Sequence, residues 1–321
     1  SKKTGPYYTQ GMPHDTWVLT EGWVDEKVFL EHVDMILEER KKVLMEGMRQ
    51  FKNGVFFFYI DTLDIVQHMF WRYIDPQHPL FQSDSLYKDT IYNYYEKIDR
   101  ILGAALKELD EDSTLIILSD HGFGPFRRTC HLNRWLLENG FLALQEGKNQ
   151  SADFFKDVDW PNTKAYALGF GGIYINKRGR EGQGIVSEQE EDSIKKDLSE
   201  RLMLWTDPVT QEKIVKDVYK KERIFDGAYT GKAPDLFVGF NSGFRASWQT
   251  ALGGVPEALI EDNQKKWSGD HLVDPSLVPG VIFTSEKIDL SDPSIIDLAP
   301  MILGLFDIPD YKKMDGKDHV K

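Results

Sequence analysis

The sequence predicts an α/β fold with a mostly parallel sheet flanked by helices. Segments with helical spacing alternate with short, continuously apolar runs in the first third of the chain. Strands that are apolar throughout are typical of sheets covered by helices on both faces. The 321 residues are 41% hydrophobic and 12% aromatic, which is enough apolar surface for a large core. We therefore expect one main sheet, with helices on both sides and an inserted cap subdomain.

Two predicted helices and two predicted strands alternate along segments 29–51, 55–60, 84–109 and 113–120. Apolar residues recur at helical spacing from Phe29, and Asn53-Gly54 ends the pattern. The run VFFFYI then predicts a buried strand. Ser83 or Asp84 is the expected cap of the second helix, and STLIILSD predicts the next strand.

The middle of the chain, 141–232, has a different character. It is rich in glycine and aromatic residues and includes an acidic amphipathic helix predicted near 187–205. We interpret it as a cap or insertion between two core parts, 1–140 and 233–321. The second core part begins with a predicted strand at 233–240. A further strand at 278–285 and a closing helix near 292–306 complete the predicted elements. Pro300 would kink that helix or occupy its first turns.

Composition excludes several classes of function. The net charge of −13 and the lack of a basic block argue against binding to a nucleic-acid duplex. No apolar run is long enough to span a bilayer and no signal-peptide pattern opens the chain, so we expect a soluble protein of unassigned compartment. Cys130 is the single cysteine, which excludes an internal disulfide and a cysteine-rich zinc cluster. The eight histidines are therefore the residues to test for metal binding.

Potential metal ligands follow or precede three of the predicted strands. Asp64 and His68 come after the first strand at the i, i+4 spacing that places both on one helix face. Asp120 and His121 follow the second strand, and His271 precedes the last. Side chains at the carboxyl ends of strands gather at one edge of an α/β sheet. Two aspartates and three histidines at one edge are enough to predict a site with two metal ions. Carboxylate and imidazole together suit zinc, and also manganese or iron.

Each of these motifs has a simpler structural explanation when taken alone. Asp64 could interact with the dipole at a helix N-terminus, and Asp120 could bond to backbone amides in a turn. A histidine such as His271 is uninformative by itself. The occurrence of all three motifs beside strands favours one shared site over three independent accidents.

The motifs DIVQHMFW (64–71), LIILSDHGFG (115–124) and SGDH (268–271) resemble the alkaline phosphatase superfamily. The resemblance is strongest to its type I phosphodiesterase/nucleotide pyrophosphatase branch. It extends to HLNRWLLENGFL (131–142) and to the closing segment 296–317, so that it covers nearly all of the chain from about residue 50. The resemblance implies an alkaline-phosphatase-like fold and hydrolysis of phosphodiester or nucleotide pyrophosphate bonds in a small substrate.

The resemblance also implies a ligand set for two divalent ions, with zinc as the first choice. Asp64, His68 and His271 match the ligands of one ion, and Asp120 and His121 match two ligands of the other. In the family, the second ion is also bound by an aspartate from the first strand and by the threonine or serine nucleophile. Two such ions activate the nucleophile and stabilise the leaving oxygen.

The nucleophile is where the sequence departs from the family pattern. No threonine in the first part of the chain follows a buried strand; the four considered are Thr4, Thr9, Thr16 and Thr20. We therefore expect the chain to be the C-terminal portion of a longer enzyme, with an incomplete second metal site and little activity by itself. A missing strand would leave an exposed sheet edge through which two copies could pair.

Other functions remain open at this point. A phosphomonoesterase or phosphomutase of the same superfamily would share the metal ligands. A metal-binding module without catalysis could use the aromatic segment 239–254 as a recognition loop, although such segments more often pack on the body of a protein. A sulfatase is disfavoured because its nucleophile is generated from a cysteine in a Cys-x-Pro-x-Arg motif. Cys130, the single cysteine, lies instead in TCHLNRW. Arg127, Arg128 and Arg245 could contact a phosphate, but surface arginines usually do not, so no substrate contact is assigned to them. His78 and His131 lie near the ligand motifs in sequence and are interpreted as structural.

Overall fold

The computed structural model describes Gly5 and residues 13–285, 292–309 and 313–319. These residues divide into two compact units. The larger unit draws on residues 1–107 and 123–278, and the smaller unit on residues 108–122 and 279–321.

Helices and strands are interspersed along the described chain, which confirms the α/β class. The helices are α1 (Thr16–Thr20), α2 (Glu26–Gln50), α3 (Thr62–Phe70), α4 (Thr90–Leu106), α5 (Leu132–Glu138), α6 (Glu188–Met203), α7 (Trp248–Ala251) and α8 (Leu298–Leu305). The strands are β1 (Ile116–Leu118), β2 (Gly124–Cys130), β3 (Ala165–Leu168), β4 (Gly172–Ile175), β5 (Val215–Lys220), β6 (Leu236–Phe240), β7 (Gly243–Ala246), β8 (Ile260–Asp262), β9 (Gly269–Asp270) and β10 (Ile282–Thr284).

Helices α2, α3 and α4 share one apolar core in the larger unit. Asp25 begins α2 by accepting a 2.9 Å hydrogen bond from the Val28 amide, and the helix then buries the apolar stripe that its spacing predicts. Helix α4 begins at Thr90, not near Asp84 as expected. The Ser85 hydroxyl accepts the Tyr87 amide at 3.2 Å, and this local turn competes with helix formation.

A second core of the larger unit lies against two four-stranded sheets and includes residues of α5 and α6. One sheet is antiparallel with the order β3-β4-β6-β5. In the other, β2 pairs with β7, β8 and β9, and only its contact with β7 is parallel. The predicted acidic helix is α6, which Ser187 and Glu190 cap reciprocally.

The smaller unit contains the antiparallel pair β1 and β10. Strand β1 lies within the predicted segment 113–120, and β10 within the predicted segment 278–285. Helix α8 is shorter than expected, and Pro300 occupies its first turn, where a missing amide hydrogen costs little.

Strand pairing differs from the single sheet expected from the segments starting near 55, 114, 233 and 279. Segment 55–60 belongs to none of the described strands and is largely exposed, so the predicted buried strand is not formed there. Strand β6 lies in a different sheet from β1 and β10, and most described pairs are antiparallel. The expectation of one sheet is therefore wrong. A continuous apolar run predicts burial, but it does not encode which strand lies next to it or in which direction. The three-part division at 140 and 232 stays a prediction.

None of the helices in the described part of the chain is both long enough and apolar enough to cross a membrane.

Candidate metal centre

Three of the predicted ligands meet in the larger unit. Asp64 and His68 lie one helical turn apart on α3, and His271 directly follows β9. Nε2 of His68 lies 3.5 Å from Oδ2 of Asp64, and Nε2 of His271 lies 4.0 Å from Oδ1 of the same carboxylate. The ring centroids of the two histidines are 5.3 Å apart. The i, i+4 spacing on α3 and the short strand β9 thus bring together residues that are distant in sequence.

The tautomer of His68 follows from its neighbours. Its Nδ1 lies 2.7 Å from the carbonyl oxygen of Gly269, which can only accept a hydrogen bond, so Nδ1 carries the hydrogen. Burial lowers the pKa of His68 to about 3, although Asp270 acts in the opposite direction. The ring is therefore neutral at pH 7, and its Nε2 presents a lone pair toward Asp64. A backbone carbonyl on the far ring nitrogen is the usual way in which a metal-binding histidine is oriented.

Aromatic rings surround His68. The Trp267 indole stacks on it with a centroid distance of 3.7 Å and an angle of 27°. Phe123 meets the same ring edge-on at 4.6 Å and also approaches His271 at 5.7 Å. Packing against several rings restricts the orientation of an imidazole, and it accounts for the desolvation of His68.

Asp270 organises the turn that carries His271. Its Oδ1 accepts the backbone amides of His271 at 2.8 Å and Leu272 at 3.0 Å, and its Oδ2 accepts the Trp267 indole hydrogen at 2.9 Å. The side chain is buried. Burial raises the pKa of this carboxyl group, but Arg245 and the hydrogen bonds outweigh that effect, so that the pKa lies below its usual value. Asp270 is therefore ionised at neutral pH.

The three ligand residues fit a divalent ion by their chemistry and spacing. One carboxylate and two imidazoles form a donor set that is typical of zinc sites with an open position. Each residue offers one ligand atom, and these atoms all lie within 4.8 Å of one another. In the described part of the chain, no other group of three or more His, Cys, Asp or Glu residues meets that spacing.

The remaining two predicted ligands lie in the smaller unit, just beyond β1. Nε2 of His121 is 3.5 Å from Oδ2 of Asp120, and Nδ1 of His121 donates to the Gly122 carbonyl oxygen at 2.9 Å. The ring thus has the same arrangement as His68, with a backbone carbonyl on Nδ1 and a carboxylate beside Nε2.

The structure shows that Arg245 is not a surface residue. Arg245 is 1% exposed and forms an ion pair with Asp270. Arg127 binds Asp75, and Arg128 is paired with two carboxylates. Sequence reasoning missed Arg245 because a lone arginine predicts exposure. Its position within the largely apolar run GFRASW was the available signal.

Both histidines interpreted as structural are buried and held by protein groups. Nδ1 of His78 accepts the Leu80 amide hydrogen at 3.0 Å, and Nε2 of His131 lies 2.7 Å from a Glu261 oxygen. Among the threonines considered as nucleophiles, Thr16 and Thr20 begin and end α1. Thr4 and Thr9 lie outside the described residues.

Comparison with protein families gives one match. The family model for type I phosphodiesterase / nucleotide pyrophosphatase matches residues 2–264, which is most of the chain. The matched range includes Asp64, His68, Asp120 and His121, and it ends before His271. A comparison with curated proteins found no match. Because the family model covers well over half of the sequence, the chain belongs to the type I phosphodiesterase / nucleotide pyrophosphatase family of hydrolases.

Proposed function

We propose that the protein is a metal-dependent hydrolase of phosphate esters that cleaves phosphodiester or nucleotide pyrophosphate bonds. The observation that carries this proposal is the convergence of Asp64, His68 and His271, whose ligand atoms lie within 4.8 Å of one another in a chain of this family. A phosphate ester is an anion, and the site contains the carboxylate of Asp64. A bound cation would offset the electrostatic repulsion between this carboxylate and the phosphate of the substrate.

In this proposal, Asp64, His68 and His271 hold one divalent ion, with zinc as the first choice and manganese or iron as alternatives. When bound, such an ion supplies Lewis-acid stabilisation of the negative charge on a phosphoryl group. Asp120 and His121 are assigned to a second ion. Two residues are fewer than the usual ligand number, so we expect that site to be weak unless other groups complete it.

The side chains around the ligands have supporting tasks. The Gly269 carbonyl keeps the hydrogen of His68 on Nδ1, so that Nε2 stays available as a ligand. Trp267 stacks on His68, and Phe123 packs against both histidine rings, which restricts their orientation. Asp270 orients the His271 backbone through its amide. A ligand set held in this way loses little entropy when a substrate or an ion binds.

The test is hydrolysis of bis(p-nitrophenyl) phosphate compared with p-nitrophenyl phosphate, with added zinc or manganese and after chelation. We expect slow cleavage, because no nucleophile was identified among the threonines considered, with the diester preferred. This cleavage should stop on chelation and return with metal. Asp64→Asn and His271→Ala should each lower the rate at least about 100-fold. His131→Ala is the matched control, because it removes a histidine outside the candidate centre.

Each alternative function has its own signature in this assay. Preference for the monoester would favour a phosphomonoesterase or phosphomutase. Metal retention without cleavage of either ester would favour a non-catalytic metal-binding module. Diester cleavage that persists at full rate in the chelated protein would contradict the proposed metal dependence.

Self-association through a strand edge is a further part of this proposal. In the described part of the chain, β1 and β10 form a sheet of only two strands, and the Phe283 side chain on β10 is 61% exposed. Exposed edges with apolar side chains favour pairing with another chain. We expect a concentration-dependent dimer by analytical ultracentrifugation that Phe283→Lys weakens. A monomer at all concentrations would contradict it.

A further inference from the structure

Arg245 is the most unusual buried charge in the larger unit. It lies on β7, is 1% exposed, and none of its three side-chain nitrogen atoms has a hydrogen-bond partner among the described residues. Three aromatic rings surround its guanidinium group, with centroid distances of 4.9 Å to Phe126, 4.6 Å to Phe170 and 4.2 Å to Trp248. Cation–π contacts offset part of the cost of burial, but they do not replace lost hydrogen bonds.

The one ionic partner of Arg245 in the described chain is Asp270. Nε of the arginine lies 3.1 Å from Oδ2 of this carboxylate, which is also 1% exposed. Both residues sit on strands that pair with β2, because β7 and β9 are both neighbours of that strand. The pair is therefore held at a defined separation by the sheet. A buried ion pair often adds little to the net free energy of folding, so we consider which neighbouring groups this pair positions.

Asp270 contacts both sides of the candidate metal centre. Through Oδ1 it accepts the His271 amide, and through Oδ2 it accepts the indole hydrogen of Trp267. The Trp267 ring in turn stacks on His68 at 3.7 Å. A displacement of the Asp270 carboxylate would therefore disturb both His68 and His271. Neither histidine forms a hydrogen bond with Arg245, so any effect of Arg245 on them passes through Asp270.

We propose that Arg245 is a positioning residue of the metal centre, which holds Asp270 so that the His271 turn and the Trp267 ring keep both histidine ligands in place. This inference rests on the proposed function, because it assumes that Asp64, His68 and His271 bind a metal ion. Arg245 acts through Asp270 and does not contact the substrate, since its side chain is buried.

The experiment compares zinc affinity, measured by competition with a chromophoric chelator, in the wild-type chain and in Arg245→Gln. We expect the association constant to fall about 10-fold to 100-fold, as for other residues that orient metal ligands. Arg245→Lys retains the charge and should lose less. Thermal unfolding of each metal-free protein separates this effect from global destabilisation.

Arg180→Gln is the matched control, because it breaks the ion pair with buried Asp235, which directly precedes β6 of the other four-stranded sheet. It should lower stability but leave zinc affinity within about twofold of wild type. If Arg245→Gln does not fold, Trp267→Phe provides the decisive variant, since it keeps the stacking ring and removes the indole hydrogen bond to Asp270. It should lower affinity severalfold.

Unchanged affinity in folded Arg245→Gln, or unchanged affinity in Trp267→Phe if the first variant cannot be purified, would overturn the inference. An equal loss in Arg180→Gln would also overturn it, because general destabilisation would then explain the effect. If the wild-type chain binds neither zinc nor manganese, the proposed function fails together with this inference. Wild-type binding with unaltered Arg245→Gln removes the inference alone.

Discussion

The backbone carbonyl of Gly269 accepts a 2.7 Å hydrogen bond from Nδ1 of His68. This contact joins β9 to α3 and sets which nitrogen of the imidazole carries the hydrogen. The same two-residue strand ends in Asp270, which holds the His271 amide. Gly269 and Asp270 thus hold both histidines of the candidate centre, and the close packing of Gly269 against α3 predicts the effect of a substitution there.

Gly269→Ala should impair metal binding through steric displacement. A Cβ at this position would lie 2.7 Å from the Gln67 carbonyl oxygen and 2.9 Å from Cβ of Trp71, so β9 must move away from α3. We expect a destabilisation of about 1–3 kcal/mol and a clear loss of zinc affinity. Gly103→Ala on α4 is the control, because a Cβ there meets nothing within 4 Å and should leave both quantities unchanged or slightly improved. Wild-type affinity in Gly269→Ala would contradict the packing argument.

Metal retention should depend on His271 more than on His131. His271→Ala removes one of three ligands from the candidate centre, whereas His131→Ala removes a buried ring paired with Glu261. Elemental analysis after incubation with zinc or manganese and removal of excess ion measures the bound metal. We expect most of it to be lost in His271→Ala and retained in folded His131→Ala. Equal occupancy in the two variants would show that the metal binds elsewhere.

The buried carboxylate of Asp235 should be essential for the stability of the antiparallel sheet. Arg180 and Lys221 both lie 2.6 Å from its oxygens, and the Ile175 amide donates to it at 2.7 Å. Asp235→Ala removes the carboxylate paired with buried Lys221 and leaves Arg180 with Glu181 alone, so the free energy of unfolding should fall by about 3–5 kcal/mol in urea denaturation. The exposed pair formed by Asp197 provides the comparison, since Asp197→Ala should cost less than about 1 kcal/mol. Similar losses in both variants would contradict this expectation.

Mild acid should destabilise the protein through buried neutral histidines. Burial lowers the pKa of His78 to about 4 even though Asp75 raises it, whereas an unfolded histidine titrates near 6.5. Between these values the unfolded chain binds a proton that the folded chain does not, so stability falls as the pH falls from about 6.5 to about 4. His78→Asn retains an acceptor for the Leu80 amide but cannot titrate. It should reduce the slope of unfolding free energy against pH by up to about 1.4 kcal/mol per unit.

Wild type and His78→Asn should show the same slope of unfolding free energy against pH above pH 7.5, where histidine is neutral in the folded and the unfolded chain. Urea denaturation across the pH range provides the measurement. Identical slopes for wild type and His78→Asn between pH 4 and 6.5 would show that His78 is protonated in the folded state.

Cys130 should be inert toward thiol reagents in the native protein. Its side chain is fully buried, and burial raises the pKa of the thiol, so that little thiolate forms at neutral pH. Reaction with 5,5′-dithiobis(2-nitrobenzoate) should be slow in buffer and should accelerate in urea as the protein unfolds. Rapid labelling without denaturant would indicate that the β2 region opens readily.

The sequence predicted local structure better than it predicted pairing. Apolar spacing located α2 and α6, because each helix buries one stripe and is capped by nearby side chains. It failed at segment 55–60, where Phe57 is 75% exposed and no strand is described. Strand partners are chosen by tertiary contacts between distant segments, and a single apolar run carries no record of them.

The ligand motifs were readable for a similar reason. Asp64 and His68 share a helix face, so their spacing alone places them together. His271 was a candidate because it precedes a predicted strand, and the resemblance grouped it with the other two. The contributions of Trp267, Asp270 and Arg245 were not predicted. Their roles arise from contacts across strands, such as the 3.1 Å approach of Arg245 to Asp270, and neither composition nor periodicity reports such contacts.

The hydrogen bond between His68 and Gly269 spans 201 positions of the chain. Closing so long a loop costs conformational entropy that must be offset by other contacts, so we expect α3 and β9 to meet late in folding. In a partly folded chain, α3 with Asp64 and His68 would form without β9 and His271 beside it. If the candidate centre binds a metal ion as proposed, metal retention would report the fraction of molecules that have finished folding. An ion that binds the native state alone shifts this population further by mass action, and chelation reverses the shift.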